Sequence, residues 1–156
     1  MVANLPYQVG TPLVLDLLQG APQIQRFVVM VQRELADRLV AGPGGKEYGL
    51  PSVVVGLYAE AAGGFRVPAT VFVPPPRVES KVVRLDRHPD PVPDIRPAAV
   101  DLARTAFAGR RKMLRGSLGE VLEDPARAFA ATGIDPTARP EQLEPADFLA
   151  LAEAAG

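Results

Sequence analysis

Apolar and polar positions follow two rhythms along this chain, and the switches between them predict its elements. Leu13 and Leu17 lie four apart, on one face of a short helix that Thr11 can cap, Pro12 can open and Gly20 can end. Phe27-Val28-Val29-Met30-Val31 is an unbroken apolar run of strand length, the pattern of a strand buried on both faces as in a parallel sheet. A second helix carries Leu35 and Leu39 on one face and Glu34 and Arg38 in favourable i,i+4 spacing, and Ala41-Gly42-Pro43-Gly44-Gly45 stops it. The apolar stretch 51–58 fits either a helix or a strand. Gly63-Gly64 predicts a loop before Phe65-Arg66-Val67. Phe72-Val73-Pro74-Pro75-Pro76 reads as a stiff extended segment. From 81 to 87 the pattern alternates, with Val83 and Leu85 on one side and Arg84 and Asp86 on the other, which predicts a strand. Helix and strand in alternation imply an α/β architecture.

The rhythm breaks at His88-Pro89-Asp90-Pro91-Val92-Pro93-Asp94, a Pro/Asp segment that cannot continue a sheet and reads as a linker. Beyond it the sequence is Ala-rich, with helices predicted near 97–108, 110–122, 125–131 and 145–154. The division is therefore an α/β portion over 1–88 and a small all-α unit over 95–156, which at its size leans on the first portion.

Composition narrows the partners. The chain has 156 residues, 47% of them hydrophobic, and a net charge of -1, so nucleic acid can be drawn only to a local patch. The absence of cysteine removes disulfides and thiolate metal sites and fits a reducing, cytoplasmic compartment. With His88 the single histidine, no transition-metal site is expected. The longest apolar runs fall far short of a membrane span.

Three segments can carry chemistry. Asn4-Leu5-Pro6-Tyr7 is a turn suited to gripping an exocyclic amine on a flat ring. Such an amine is a poor nucleophile because its lone pair is delocalised, so a site must hold its two N–H groups with acceptors. The Asn4 carboxamide oxygen supplies one, and the carbonyl of Leu5 or Pro6 the other. Pro6 fixes the turn, and Tyr7 offers a ring for stacking. The same four residues also fit an ordinary Asn-Pro turn before a helix. Phe72, held by Pro74-Pro75-Pro76, is either a second stacking ring over a cleft or a core residue ahead of a connector. Arg104, Arg110, Arg111, Lys112 and Arg115 form a run without an intervening acid, and Arg111 and Arg115 are placed on one helix face. That run is either a phosphate-binding footprint or a solvated surface. Gly42-Pro43-Gly44-Gly45-Lys46 lacks phosphate-loop spacing and reads as a turn whose lysine touches backbone.

Taken together, Asn4-Leu5-Pro6-Tyr7 running on to Thr11-Pro12-Leu13, the stretch from Val29 through Gly49 and Phe72 to Val83, and Phe107 to Leu118 around Arg110-Arg111-Lys112 resemble the ribosomal RNA adenine dimethyltransferases, which dimethylate two adjacent adenines near the 3′ end of small-subunit rRNA. The resemblance implies a Rossmann-like methyltransferase sheet followed by a small helical domain, with S-adenosylmethionine as donor. It implies that Asn4, Leu5, Pro6 and Tyr7 grip the target amine, that Asn4 also faces the donor, and that Phe72 is the second stacking ring. The basic tail would dock rRNA of the small ribosomal subunit.

Members of that family carry a Gly-rich loop and two acidic donor contacts ahead of the Asn-Leu-Pro-Tyr turn. Here only Met1, Val2 and Ala3 precede it. The chain is thus expected to be the back portion of a larger enzyme, to bind the donor weakly or not at all alone, and to leave the 27–31 strand short of neighbours. Two other readings stay open: a large-subunit rRNA adenine methyltransferase of the macrolide-resistance type, and a non-catalytic RNA-binding or assembly module.

Overall fold

In a computed structural model of the chain, the structure describes residues 1–6, 9–89 and 94–155. Strand β1 (Val2–Asn4) leads through helix α1 (Gly10–Gly20) to β2 (Arg26–Gln32), which pairs with it in parallel. Helix α2 (Arg33–Leu39) follows without a break, and α3 (Leu50–Tyr58) runs directly into β3 (Ala59–Val67). After a 3-10 turn (Ala69–Val71), β4 (Ser80–Arg87) returns between β2 and β3, antiparallel to both, giving the sheet order β1-β2-β4-β3. The helices α4 (Arg96–Ala108), α5 (Leu114–Ser117), α6 (Pro125–Thr132) and α7 (Pro145–Ala155) complete the chain.

Several expectations change at this level. The apolar run in β2 keeps strand neighbours on both edges, β1 and β4, so it is not short of pairing. What it lacks is two-sided burial. Phe27, Val29 and Val31 are fully buried, and Val83 and Leu85 of β4 join them in one cluster with Val14 and Leu18 of α1, Leu39 of α2 and Val53 of α3. The alternate residues Val28, Met30 and Val82 are only half-buried. By register, Val2 and Phe65 belong to that same second face, and they are 84% and 63% exposed.

The open choice over 51–58 resolves as helix α3. The Ser52 hydroxyl accepts from the Gly49 N–H at 3.1 Å and donates to the Arg38 carbonyl, tying the start of α3 to the end of α2. Gly63-Gly64 is no loop but a bulge inside β3, where the register against β4 shifts between Ala61 and Gly64. Gly63 has a left-handed φ of 102°, and a Cβ at Gly64 would meet the Val82 carbonyl at 2.2 Å, so the pair bends a strand rather than ending one. Thr11 does not cap α1. Val9 takes that position, and the Thr11 hydroxyl is buried with no partner among the described residues. The long helix expected over 110–122 contracts to the single turn α5, with its start fixed by the Leu114 and Arg115 N–H groups donating to the carbonyls of Ala138 and Pro136. Arg111 therefore lies outside the helix that carries Arg115. The linker residues 90–93 lie outside the described residues.

The helical portion packs tightly on α3 and the loop before it. The Tyr48 hydroxyl donates to the Leu143 carbonyl at 2.7 Å, and Phe107 contacts the Tyr48 and Phe148 rings at centroid distances of 6.0 and 6.2 Å. Burial, followed by the charges of Asp147 and Glu144, pushes the Tyr48 phenol well above its ordinary range, so it remains a donor at any working pH. Arg96 is buried, stacks over the Tyr58 ring at 4.4 Å and pairs with Asp94. Its hydrogen bond holds the Asp94 carboxyl below the usual range.

Candidate active site

The end of β1 and the segment before β4 meet at an open cleft of about 450 Å³, lined by Asn4, Leu5, Pro6, Met30, Phe72, Val73, Pro74, Pro76 and Ser80. Sequence position gives no hint that residues 4 and 72 adjoin. Sheet order supplies it: Asn4 lies opposite Met30 of β2, and the chain enters β4 at Ser80 on the far side of that strand. The floor of the cleft is thus the half-open face of the sheet. Met30 and Ser80 went unnoticed in the sequence, although strict alternation with the buried Val29 and Val31 places Met30 on this face.

The polar groups of the turn divide cleanly. The Pro6 carbonyl accepts from the N–H groups of both Val9 and Gly10, which start α1. Leu5 is buried and its N–H donates to the Met30 carbonyl at 3.1 Å, which locks the turn to β2. No described N–H donates to the Leu5 carbonyl, and the Asn4 carboxamide has no partner among the described residues. The cleft therefore offers two acceptors without a partner among the described residues, and the half-buried Phe72 ring among prolines. Tyr7 lies outside the described residues.

The basic residues do not form one helical stripe. Arg104 is exposed on α4 and pairs with Asp101 one turn away, a surface contact of small energetic weight. Arg110 donates from Nη2 to the Lys46 carbonyl at 3.2 Å. Arg111, Lys112 and Arg115 are exposed. In the 42–46 turn, the contact is made by the carbonyl of Lys46 rather than by its ammonium group. Among the described residues, no group of three or more His, Asp or Glu is placed to hold a metal ion, and no helix is long and apolar enough to cross a membrane.

The family model described as "Ribosomal RNA adenine dimethylase" matches residues 1–155. The chain belongs to this family. Among relatives named "Ribosomal RNA small subunit methyltransferase A", the protein of Acidothermus cellulolyticus is 48% identical over 159 residues and that of Rhodospirillum rubrum 45% identical over 155. Each alignment covers 99% of this chain and 54% of the relative, so the chain spans about half the length of the curated relatives it matches. Two solved structures carry the same fold. A dimethyladenosine transferase from Plasmodium falciparum superposes with a TM-score of 0.83 at 24% identity, covering 96% of this chain and 64% of that one. A 23S rRNA methyltransferase, ErmE, does so with a TM-score of 0.71 at 22% identity, covering 99% and 64%. The mixed α/β sheet of this dimethylase-family chain is accordingly of the Rossmann-like methyltransferase type.

Proposed function

We propose that the chain supplies the adenine-gripping and RNA-docking parts of an rRNA adenine N6-dimethyltransferase acting on small-subunit rRNA. The observation that carries this reading is the cleft in which Asn4, Leu5 and Phe72 converge. An adenine slid against Phe72 gains about 1–3 kcal/mol from stacking. Its amino group then meets the Asn4 Oδ1 and the Leu5 carbonyl, one acceptor for each N–H. The Pro6 carbonyl, already engaged twice, favours Leu5 as the second acceptor. Holding both N–H groups favours a pyramidal nitrogen whose lone pair leaves conjugation with the ring and can attack, which is positioning and electrostatic catalysis with no strong base required. The methylated nitrogen becomes acidic and loses its proton to solvent.

S-adenosylmethionine, as the donor of the methyltransferase class, would supply an activated methyl group on a sulfonium. The cleft residues fit the acceptor base but not the whole donor. Among the described residues no carboxylate lines the cleft to hold a ribose or an ammonium group, and Asn4 and Ser80 are its polar side chains. No step is therefore routed through the donor here.

In this reading, residues 1–88 are the carboxyl-terminal half of a methyltransferase domain, and residues 95–156 are a helical unit that docks RNA through Arg110, Arg111, Lys112 and Arg115. Tyr7, as the resemblance implies, would be the other stacking ring beside Phe72. The small ribosomal subunit in the cytoplasm is the partner, a choice favoured over large-subunit rRNA by the shared name of the 45–48% identical relatives. The test joins this chain to the donor-binding half of the Acidothermus cellulolyticus relative and assays methylation of a 3′-terminal small-subunit rRNA fragment. Asn4→Ala should lower the rate by about 10²-fold or more while RNA binding persists. Undiminished methylation by the Asn4→Ala protein would refute the role of the turn.

A further inference from the structure

Two segments far apart in sequence meet beside the basic tail. The loop 42–46 connects α2 to α3, and the segment 110–115 precedes and enters α5. The Gly44 N–H donates to the Glu141 carbonyl at 2.7 Å and the Lys46 carbonyl accepts from Arg110, so the loop is pinned to the helical portion at its middle and at its far end. These bonds use the backbone of the loop and leave the Lys46 ammonium facing solvent.

Charge pairing divides the exposed cations: Arg66, Arg77, Arg127 and Arg139 also lack an ion pair among the described residues, but these two segments bring five unpaired cations together. Arg26, Arg33, Arg38, Lys81, Arg84 and Arg104 each hold an Asp or Glu within ion-pair distance. Lys46, Arg110, Arg111, Lys112 and Arg115 are exposed, and none has such a partner among the described residues. The acids that approach are engaged elsewhere. Glu47 lies 3.7 Å from the Arg38 guanidinium. Asp135, whose carboxyl is held low mainly by hydrogen bonds from Thr137 and only weakly by the Arg115 charge, accepts from the Thr137 backbone and hydroxyl. Five uncompensated cations on two elements locked together form a surface suited to a polyanion, in a chain whose net charge is close to zero.

We propose that Lys46 is a phosphate ligand of the docked RNA, and that the loop 42–46 and the segment 110–115 act as one backbone-binding surface. The inference rests on the RNA docking proposed above for the tail. Arg110 serves two ends: one arm of its guanidinium holds the loop in place, and its remaining donors face the strand. Lys46, a point charge on a flexible stem, adds a contact that carries no base specificity. Because the same loop leads into α3, RNA held there is held in fixed relation to the sheet that floors the cleft.

Filter binding of the chain to a 3′-terminal small-subunit rRNA fragment between 50 and 200 mM salt tests this. Each phosphate contact contributes about 0.7 to 0.9 to the slope of log K against log salt. Lys46→Ala should remove about that much, so the fold-loss of affinity across this salt range shrinks by about threefold. Arg111→Ala should behave alike. Arg127→Ala, which removes an exposed cation from α6, should leave the slope unchanged. If Arg111→Ala lowers the slope and Lys46→Ala does not, the Lys46 assignment fails while tail docking stands. If neither does, tail docking fails as well. If Arg127→Ala lowers the slope equally, only net charge is at work and the composite surface is wrong.

Discussion

The two faces of the sheet are built from the same strands and do opposite work. On one, Phe27, Val29, Val31, Val83 and Leu85 are sealed under α1, α2 and α3. On the other, Val28, Met30 and Val82 are half-buried, Val2 and Phe65 are open, and the Asn4 cleft lies at one end. The difference teaches that the two-residue period of the strands separates the sealed core from the proposed site. A residue shifted by one position moves from the core to the floor of the site.

The largest break of that comparison is Phe27→Ala. It empties a fully buried ring position and should cost about 3–5 kcal/mol in urea unfolding, against under about 1.5 kcal/mol for Val82→Ala across the sheet. Equal costs would mean that the faces do not differ as described. Next comes Gly56→Ala. A Cβ there would lie 2.5 Å from Pro145 Cγ, so α3 and α7 must separate, at about 1–3 kcal/mol. An unchanged midpoint would show that the helical portion does not depend on this approach. Tyr48→Phe keeps the packing and strips the Leu143 carbonyl of its donor, for about 1 kcal/mol.

The smallest effect is a titration on the open face. Hydrogen bonds from Arg84 and then Arg26 hold the Asp86 carboxyl down to about 2. A lowered carboxylate favours the folded state when ionised, so its contribution is present above about pH 4 and lost as pH falls toward 2. Asp86→Asn should lower thermal stability slightly at neutral pH, where the ionised carboxylate contributes, and flatten the acid limb, so that variant and parent converge as pH falls toward 2. A melting curve whose acid limb is the same with and without Asp86 would contradict the assignment.

Much of this was legible in the chain itself. The 27–31 run, the 81–87 alternation and the helices from 97 and 145 all appear within a residue or two of expectation. What failed, failed for physical reasons. An apolar run reports that both faces avoid water, not that this chain covers both. Gly63-Gly64 reads as a loop because glycine permits turns, but the same freedom permits a bulge within a ladder. Basic residues over 110–115 fit a helical period, yet carbonyls from 136 and 138 start the helix late. Among the residues of the proposed site, Asn4, Leu5, Pro6 and Phe72 were visible through residue type, whereas their meeting with Met30 and Ser80 in one cleft depended on sheet order. The place of Lys46 beside Arg110 had no local signal, since it rests on a hydrogen bond spanning 64 residues.

The central claim is that the cleft reads an amino group through Asn4 and Leu5. Its most direct measurement is an NMR titration of the chain with adenosine 5′-monophosphate and, separately, inosine 5′-monophosphate, which carries a carbonyl where adenine carries the amine. The account predicts that the adenine nucleotide shifts the Leu5 and Met30 methyls and the Phe72 ring, and that inosine does so far less. Equal shifts from both nucleotides, or shifts that avoid these three residues, would contradict it.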